Sequence, residues 1–364
     1  MSVQLPNIDI TFKQLASSFV ERSERGNVLL ILKDDTDKTF NTRDYSIITD
    51  VTADVEKYMP SNLQYIKDTM VGLPNKVTVI RIDTTATLAD ALAVASGYST
   101  GWIGIAEGTP EEQGELSTWI KQQRILKKTI KGVVYNPSEA PDSEAVVNLG
   151  TDKVIFSDGR GQQTGDKFIS SLLGFLAGCN VVKGSTWLEM TNLTSVTAMS
   201  DADINTALQA GKFMLKNDEG KVRIGAGINS LTTLETDKTE DFKYIEIIET
   251  QDLILDDIRK TYKNEFIGKY RNKTDNQMLF ISSVNVYFKN LANSDSEILD
   301  SNYDNTSYID TVAQKDAWIA INPDAKDWNE AKVKSMAYKR QLFLAGNIKI
   351  LQSMTDLSFN IKMA

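Results

Sequence analysis

The 364 residues include no histidine and a single cysteine. Histidine is the usual general base near neutral pH and the commonest ligand for zinc, copper and non-haem iron. Without it, Ser-His-Asp triads, Cys-His dyads and HExxH sites cannot be built within one chain. Cys179 cannot form an internal disulfide and fits a reducing compartment. It closes an apolar run over residues 172–177 and reads as a small buried hydrophobe, with no histidine to activate it as a nucleophile. No run approaches the roughly 18 apolar residues of a membrane span, and the start, MSVQLPNIDITFKQ, lacks a basic n-region and an apolar h-region. A protein made in a cytoplasm, with no membrane partner, is expected. Positive charge is also short, 40 Lys and Arg against 49 Asp and Glu for a formal net charge of −9. That balance argues against general nucleic-acid binding, which needs a basic stripe to displace phosphate counterions.

What is present is ordinary for a globular protein: 41% hydrophobic and 24% charged residues, in a chain long enough for about two domains. Near the start, Ile8, Ile10 and Phe12 alternate with polar neighbours, the two-residue period of a half-buried strand. Residues 21–27, ERSERGN, read as a hinge. From about residue 27 to Cys179, apolar strand-like runs alternate with helical patterns over residues 28–32, 63–70, 77–82, 88–95, 102–106, 111–126 and 130–135, which predicts an α/β layer fold. Thr109 followed by Pro110 marks a helix start.

Beyond Lys183 the pattern is mixed and predicts an α+β domain. A helix is expected over residues 202–210, strands over 213–216 and 222–225, a long amphipathic segment over 250–270, and a helix over 282–291. A last helix is expected from an Asp327 cap, with Glu330 completing a capping box, to about Leu344 before Gly346. The tail returns to alternation, with Leu357, Phe359, Ile361 and Met363 on one face. The expected layout is an N-terminal arm to residue 20, an α/β domain over 21–185, an α+β domain over 186–347 and a C-terminal arm strand over 348–364. A terminal strand pairs either in its own sheet or on the sheet edge of another copy. One at each end points to a non-enzymatic subunit that polymerises head to tail.

Three further features offer sites. Gly159, Gly161 and Gly165 lie between an expected strand and helix, where a phosphate could rest on backbone amides. Their spacing departs from GxGxxG and the P-loop lysine is absent, so a plain turn is favoured and a nucleotide-binding α/β enzyme is the alternative. The acidic clusters at residues 34–37 and 295–304 lack calcium-loop spacing and read as solvated loops. Lys332, Lys339 and Arg340, expected on the final helix, make a basic face on an acidic protein, either a solubilising surface or a docking surface for an acidic partner. No metal or cofactor is expected.

Several stretches together resemble the sheath proteins of contractile phage tails and phage-tail-like bacteriocins, particularly the short Gram-positive sheaths. LPNIDITFKQLASSFVERSERGNVLLILKDD resembles the N-terminal arm and the entry to the first domain, and LLGFLAGCNVVKGSTWLEM the small-residue helix with its Ser-Thr turn. GINSLTT and the run containing DLILDDIRKTYKNEFIGKYRNK resemble the core of the C-terminal domain. The resemblance implies a homo-oligomeric helical sheath of stacked rings on an inner tube, working with baseplate and tail-terminator proteins. It implies arms that donate strands to neighbours through Ile8, Ile10 and Phe12 at one end and Leu357, Phe359, Ile361 and Met363 at the other. It also implies contraction without nucleotide hydrolysis, tube docking through Lys332, Lys339 and Arg340, and residence in a virion or phage-tail-like particle assembled in the bacterial cytoplasm.

Overall fold

The computed structural model describes residues 25–179, 181, 184–236, 238–293 and 297–362. The described residues divide into two compact units, one over residues 25–256 together with the tail from Ile350, the other spanning Asp257–Lys349.

The first unit opens with β1 (Asn27–Lys33), β2 (Thr42–Tyr45), α1 (Ile48–Ala53), α2 (Pro60–Val71), β3 (Lys76–Ile82), α3 (Leu88–Ala95), β4 (Thr100–Ile105), α4 (Pro110–Ile125) and β5 (Thr129–Tyr135). The seven alternating runs expected from the sequence coincide with elements in this stretch. It continues through β6 (Val146–Leu149), β7 (Lys153–Phe156), β8 (Gly161–Thr164), α5 (Ile169–Gly178), β9 (Leu193–Val196), α6 (Asp201–Gln209), β10 (Lys212–Phe213), β11 (Leu215–Asp218), β12 (Lys221–Ile224) and the start of α7 (Ile245–Thr261). The main sheet has the order β10-β6-β5-β4-β1-β3-β2. All its pairs are parallel except β2 against β3, at one edge. A parallel sheet is covered on both faces, so its strands are apolar throughout rather than alternating. Accordingly Val28, Leu29, Leu30, Ile31 and Leu32 of β1 are all buried. Val28, Leu30 and Leu32 face one core with Leu63 and Ile66 of α2 and Leu172 and Leu173 of α5. Leu29 and Ile31 face the other with Leu88 and Leu92 of α3 and Leu116 and Ile120 of α4.

Local signals operate where they were expected. The Thr109 hydroxyl accepts from the Glu112 amide at 3.3 Å, and the Glu112 carboxylate accepts from the Thr109 amide at 2.9 Å, closing a capping box behind Pro110. Asp34, expected in a solvated loop, is instead buried. Its carboxylate accepts from the amides of Thr36 and Met59, each at 2.9 Å, and from Asn62 Nδ2 at 2.8 Å, binding the end of β1 to the start of α2.

Two expectations of layout are corrected. No division falls near residue 185, because residues 193–196 and 212–213 complete sheets begun before it: β9 pairs with β7, and β10 with β6. The glycine cluster is not one strand-to-helix turn. Gly159 (φ +87°) turns the antiparallel β7–β8 hairpin and Gly161 (φ +70°) opens β8, while Gly165 alone stands between β8 and α5, at the start of a 3₁₀ turn. Above that turn Arg160 makes a bidentate pair with the buried Asp68 at 2.7 and 2.9 Å and stacks 3.7 Å over the Phe156 ring.

The second unit contains α8 (Thr274–Leu291), β13 (Thr306–Ile309), α9 (Thr311–Ile319), α10 (Glu330–Ser335) and β14 (Leu344–Asn347). The long final helix expected over residues 327–344 is the one-and-a-half-turn α10, capped by Asn329 rather than Asp327. Asp327 instead ends a 3₁₀ turn over Pro323–Asp327. Its end is held by α9: Gln314 Nε2 donates to the carbonyls of Val333 and Met336, and Trp318 Nε1 donates to that of Met336. Gly346 does not end a helix. It lies in β14, which pairs antiparallel with β13 from Ile309↔Leu344 to Thr306↔Asn347.

Candidate functional site

The residues expected to matter fall into three places. Ile8, Ile10 and Phe12 lie outside the described residues, as does Met363. Leu357, Phe359 and Ile361 are 90%, 77% and 67% exposed, and residues 351–362 form neither strand nor bridge within the chain. Three large apolar side chains at alternate positions are thus held in solvent, on a backbone whose hydrogen-bonding groups lack sheet partners. At about 25 cal/mol per Å² of apolar surface, this is a segment that gains by being covered.

Lys332 lies on α10, whereas Lys339 and Arg340 lie in the turn beyond it, so they do not share a helix face as expected. All three are exposed. Lys332 Nζ is 4.8 Å from the Trp328 ring centroid, and Lys339 Nζ is 5.3 Å from that of Tyr338. The turn is nevertheless fixed. Asn272 Nδ2 lies 3.2, 3.3 and 3.1 Å from the carbonyl oxygens of Tyr338, Lys339 and Gln341, and Lys339 holds a left-handed φ of +41°. Strain of that kind costs about 1 to 3 kcal/mol in a non-glycine residue and persists only where neighbours impose it.

A third group of residues was not singled out in the sequence. Glu249, Asp252 and Asp256 of α7 face a set of cations in the first unit. Arg25 Nη2 is 2.6 Å from Glu249 Oε2, and Arg25 Nη1 is 3.4 Å from Asp256 Oδ2. Lys131 Nζ lies 3.0 Å from Asp252 Oδ2 and 3.2 Å from Glu249 Oε1, with Arg124 Nη1 2.6 Å from Asp252 Oδ1. Burial alone would raise the Glu249 carboxyl, but Lys131 and Arg25 hold it down at about 2. Burial, helped by the Glu249 charge, pushes the nearby Cys179 thiol up to about 11, as befits an inert thiol. The missed signal was the spacing: carboxylates at 246, 249, 252 and 256 recur every three or four residues on a helix otherwise read as amphipathic.

Lys131 and Asp252 are both almost fully buried, so this cluster lends itself to test. Lys131→Met keeps the stem and removes the charge, leaving two buried carboxylates short of a counterion. The expected loss is about 3 kcal/mol, read as a lowered urea midpoint of the unassembled protein. A change below about 0.5 kcal/mol would show that Arg25 and Arg124 alone serve these carboxylates.

Among the described residues no group of acidic or cysteine side chains could hold a metal ion, and no helix is long and apolar enough to cross a membrane. A covered sheet, a strained basic turn and a bare apolar tail are what the described residues present to a partner. Residues 237–364 match the phage tail sheath C-terminal domain. Across 362 residues, 99% of both chains, the sequence is 31% identical to the tail sheath protein of Clostridium phage phiCD119. The chain belongs to the phage tail sheath proteins and is a structural protein of a contractile tail sheath. Solved structures share the fold at low identity. The sheath tail protein of Desulfitobacterium hafniense superposes with a TM-score of 0.70 at 17% identity, covering 84% of this chain and 94% of that one. The helical sheath of the anti-feeding prophage in its contracted state gives 0.70 at 10% identity, over 99% of each.

Proposed function

We propose that this subunit polymerises as helically stacked rings around an inner tube, and that the assembled sheath contracts to drive the tube through a cell envelope. The terminal arms link neighbouring copies by strand exchange. Ile8, Ile10 and Phe12 form the donated face at one end, and Leu357, Phe359, Ile361 and Met363 that at the other. The observation that carries this reading is the exposed alternation of Leu357, Phe359 and Ile361 on unpaired backbone. Support comes from the receiving side. The sheet of β13 and β14 has two strands among the described residues; the Asn285 side chain of α8 takes both backbone groups of Ser307 on the outer side of β13, which leaves the edge of β14 for an added strand. A two-stranded sheet is marginal in water and gains stability from added strands. The sheath acts without catalysis, the work of contraction coming from the free-energy difference between two packings of the same subunits. Baseplate and tail-terminator proteins bound the polymer, which assembles in the bacterial cytoplasm as part of a virion or tail-like particle, without nucleic-acid or membrane partners.

Electron microscopy of the purified protein tests the reading directly. Hollow polymers are expected, and a monodisperse small oligomer at all concentrations and salts would refute it. Lys332, Lys339 and Arg340 dock the sheath on acidic groups of the tube, and the rigidity that Asn272 lends to the turn at Lys339 supports that role. Changing Lys332 and Lys339 together to Glu should leave self-assembly intact. It should lower capture by the inner tube protein about tenfold or more at low salt, with a smaller difference in high salt. Equal capture by both proteins would move the docking face elsewhere.

A further inference from the structure

The two arm roots meet on one turn of one helix. At the N-terminal root, Arg25 is paired with Glu249 and Asp256 at 2.6 and 3.4 Å. Gly26, beside it, adopts φ +80°, and a Cβ there would come within 2.9 Å of the Ala177 carbonyl oxygen, so the chain passes close over the end of α5. At the C-terminal root, the Glu246 carboxylate accepts twice from Ser353, from its amide at 3.1 Å and its hydroxyl at 2.5 Å, while Gln352 Nε2 donates to Asp241 at 2.8 Å. Gly184 is the floor of this contact. A Cβ on it would meet the Ser353 hydroxyl at 2.9 Å and collide with the Glu246 carboxylate. Glu246 and Glu249 stand three residues apart, neighbours on the helix surface. Both line one shallow cavity, together with Cys179, Gly184 and Ser185.

We propose that Glu246 and Glu249 of α7 form a single anchor that pins the roots of both arms, the N-terminal arm through Arg25 and the C-terminal arm through Ser353. The anchor fixes where both arms leave the subunit. Buried Ile245, Ile247 and Ile248 hold this turn of α7 in the first unit, which makes it a stiff mount rather than a flexible one. Both roots are bound by charge-assisted hydrogen bonds, stronger than neutral ones; residues 351–362 are all exposed, and past Ser353 no bond ties the tail to α7 among those seen. A pull on one arm therefore reaches the other across one helical turn, without passing through the main sheet. The consequence for assembly rests on the strand-exchange reading; the anchor itself is a property of the single subunit.

Hydrogen exchange, followed by mass spectrometry on the unassembled full-length chain, separates the two. Glu246→Ala removes both acceptors of Ser353 and should speed exchange over residues 350–354 about tenfold. Arg25→Gln should do the same for the peptide around residue 25, and Arg25→Lys should restore much of the protection. Cys179, the one thiol in the chain, lines the same cavity as the two carboxylates and so reports on both roots. Either variant should raise its maleimide labelling rate several-fold, and the double variant more than either. Glu246→Gln, which keeps the side chain's size, guards against a general loss of fold. Unchanged exchange over residues 350–354 in Glu246→Ala, or a Cys179 rate that ignores both variants, overturns the anchor. Freed roots with undiminished polymer formation would uphold the anchor and sink strand exchange instead.

Discussion

A chain lacking residues 355–364 is expected to fold normally and to fail to polymerise. The deletion spares Ser353 and its bonds to Glu246, so the mount of the tail is left in place. It removes Leu357, Phe359 and Ile361, which touch little in the isolated chain, being 90%, 77% and 67% exposed. Little folding stability is lost with them, and the urea midpoint should stay within about 0.5 kcal/mol of the parent. On the strand-exchange reading proposed above, the same side chains are covered in the polymer. Each fully buried apolar side chain contributes roughly 1.5 to 3 kcal/mol, and every donated strand adds backbone hydrogen bonds. Because each subunit repeats the contact, its loss multiplies along the lattice, and polymer recovered by sedimentation should fall at least tenfold. Long polymers from the shortened chain would remove the C-terminal arm from the account of assembly.

The second large effect is expected inside the first unit, where α2 and α5 cross with their backbones nearly touching. A Cβ on Gly174 would fall well inside contact distance of the Thr69 carbonyl oxygen, and one on Gly178 equally close to that of Gly72. These obstacles are backbone atoms, so no rotamer change relieves them. Gly174→Ala must drive two buried helices apart over a sheet whose other face is already packed. Overpacking of this kind costs about 3 kcal/mol or more, and Gly174→Val should leave the protein insoluble. Thermal unfolding of the Ala variant provides the measure. A melting temperature equal to the parent's would mean that α2 can slide without loss.

The two regions were not equally legible in sequence. The alternation over residues 28–135 was readable because a covered parallel sheet demands uninterrupted apolar strands, and the helices between them carry their own start signals, such as the capping box at Thr109. The tail was readable for a related reason: alternation at Leu357, Phe359 and Ile361 survives whether or not a partner strand is present. The basic residues were found, but their geometry was not. Lys332 and Lys339 were expected on one helix, but α10 ends at Ser335, where Gln314 and Trp318, on another helix, bond the carbonyls of Val333 and Met336. Nothing within residues 327–344 announces that. The acidic row at 246, 249, 252 and 256 had a helical period, yet its meaning depended on Arg25, Arg124 and Lys131, more than a hundred residues away.

By itself, the sequence determined what chemistry the chain forgoes, where its covered strands run and that its tail is apolar on one face, since side-chain composition and local periodicity decide all three. Tertiary structure alone decided that the units part between Asp256 and Asp257, that short strands such as Lys212–Phe213 close the main sheet, and that Arg25 and Ser353 both bond to carboxylates of α7. Those outcomes depend on backbone hydrogen bonds and ion pairs between distant residues. A peptide N–H pairs with any carbonyl that folding brings to it, and a carboxylate with any cation, so neither leaves a mark on the residues nearby in the chain.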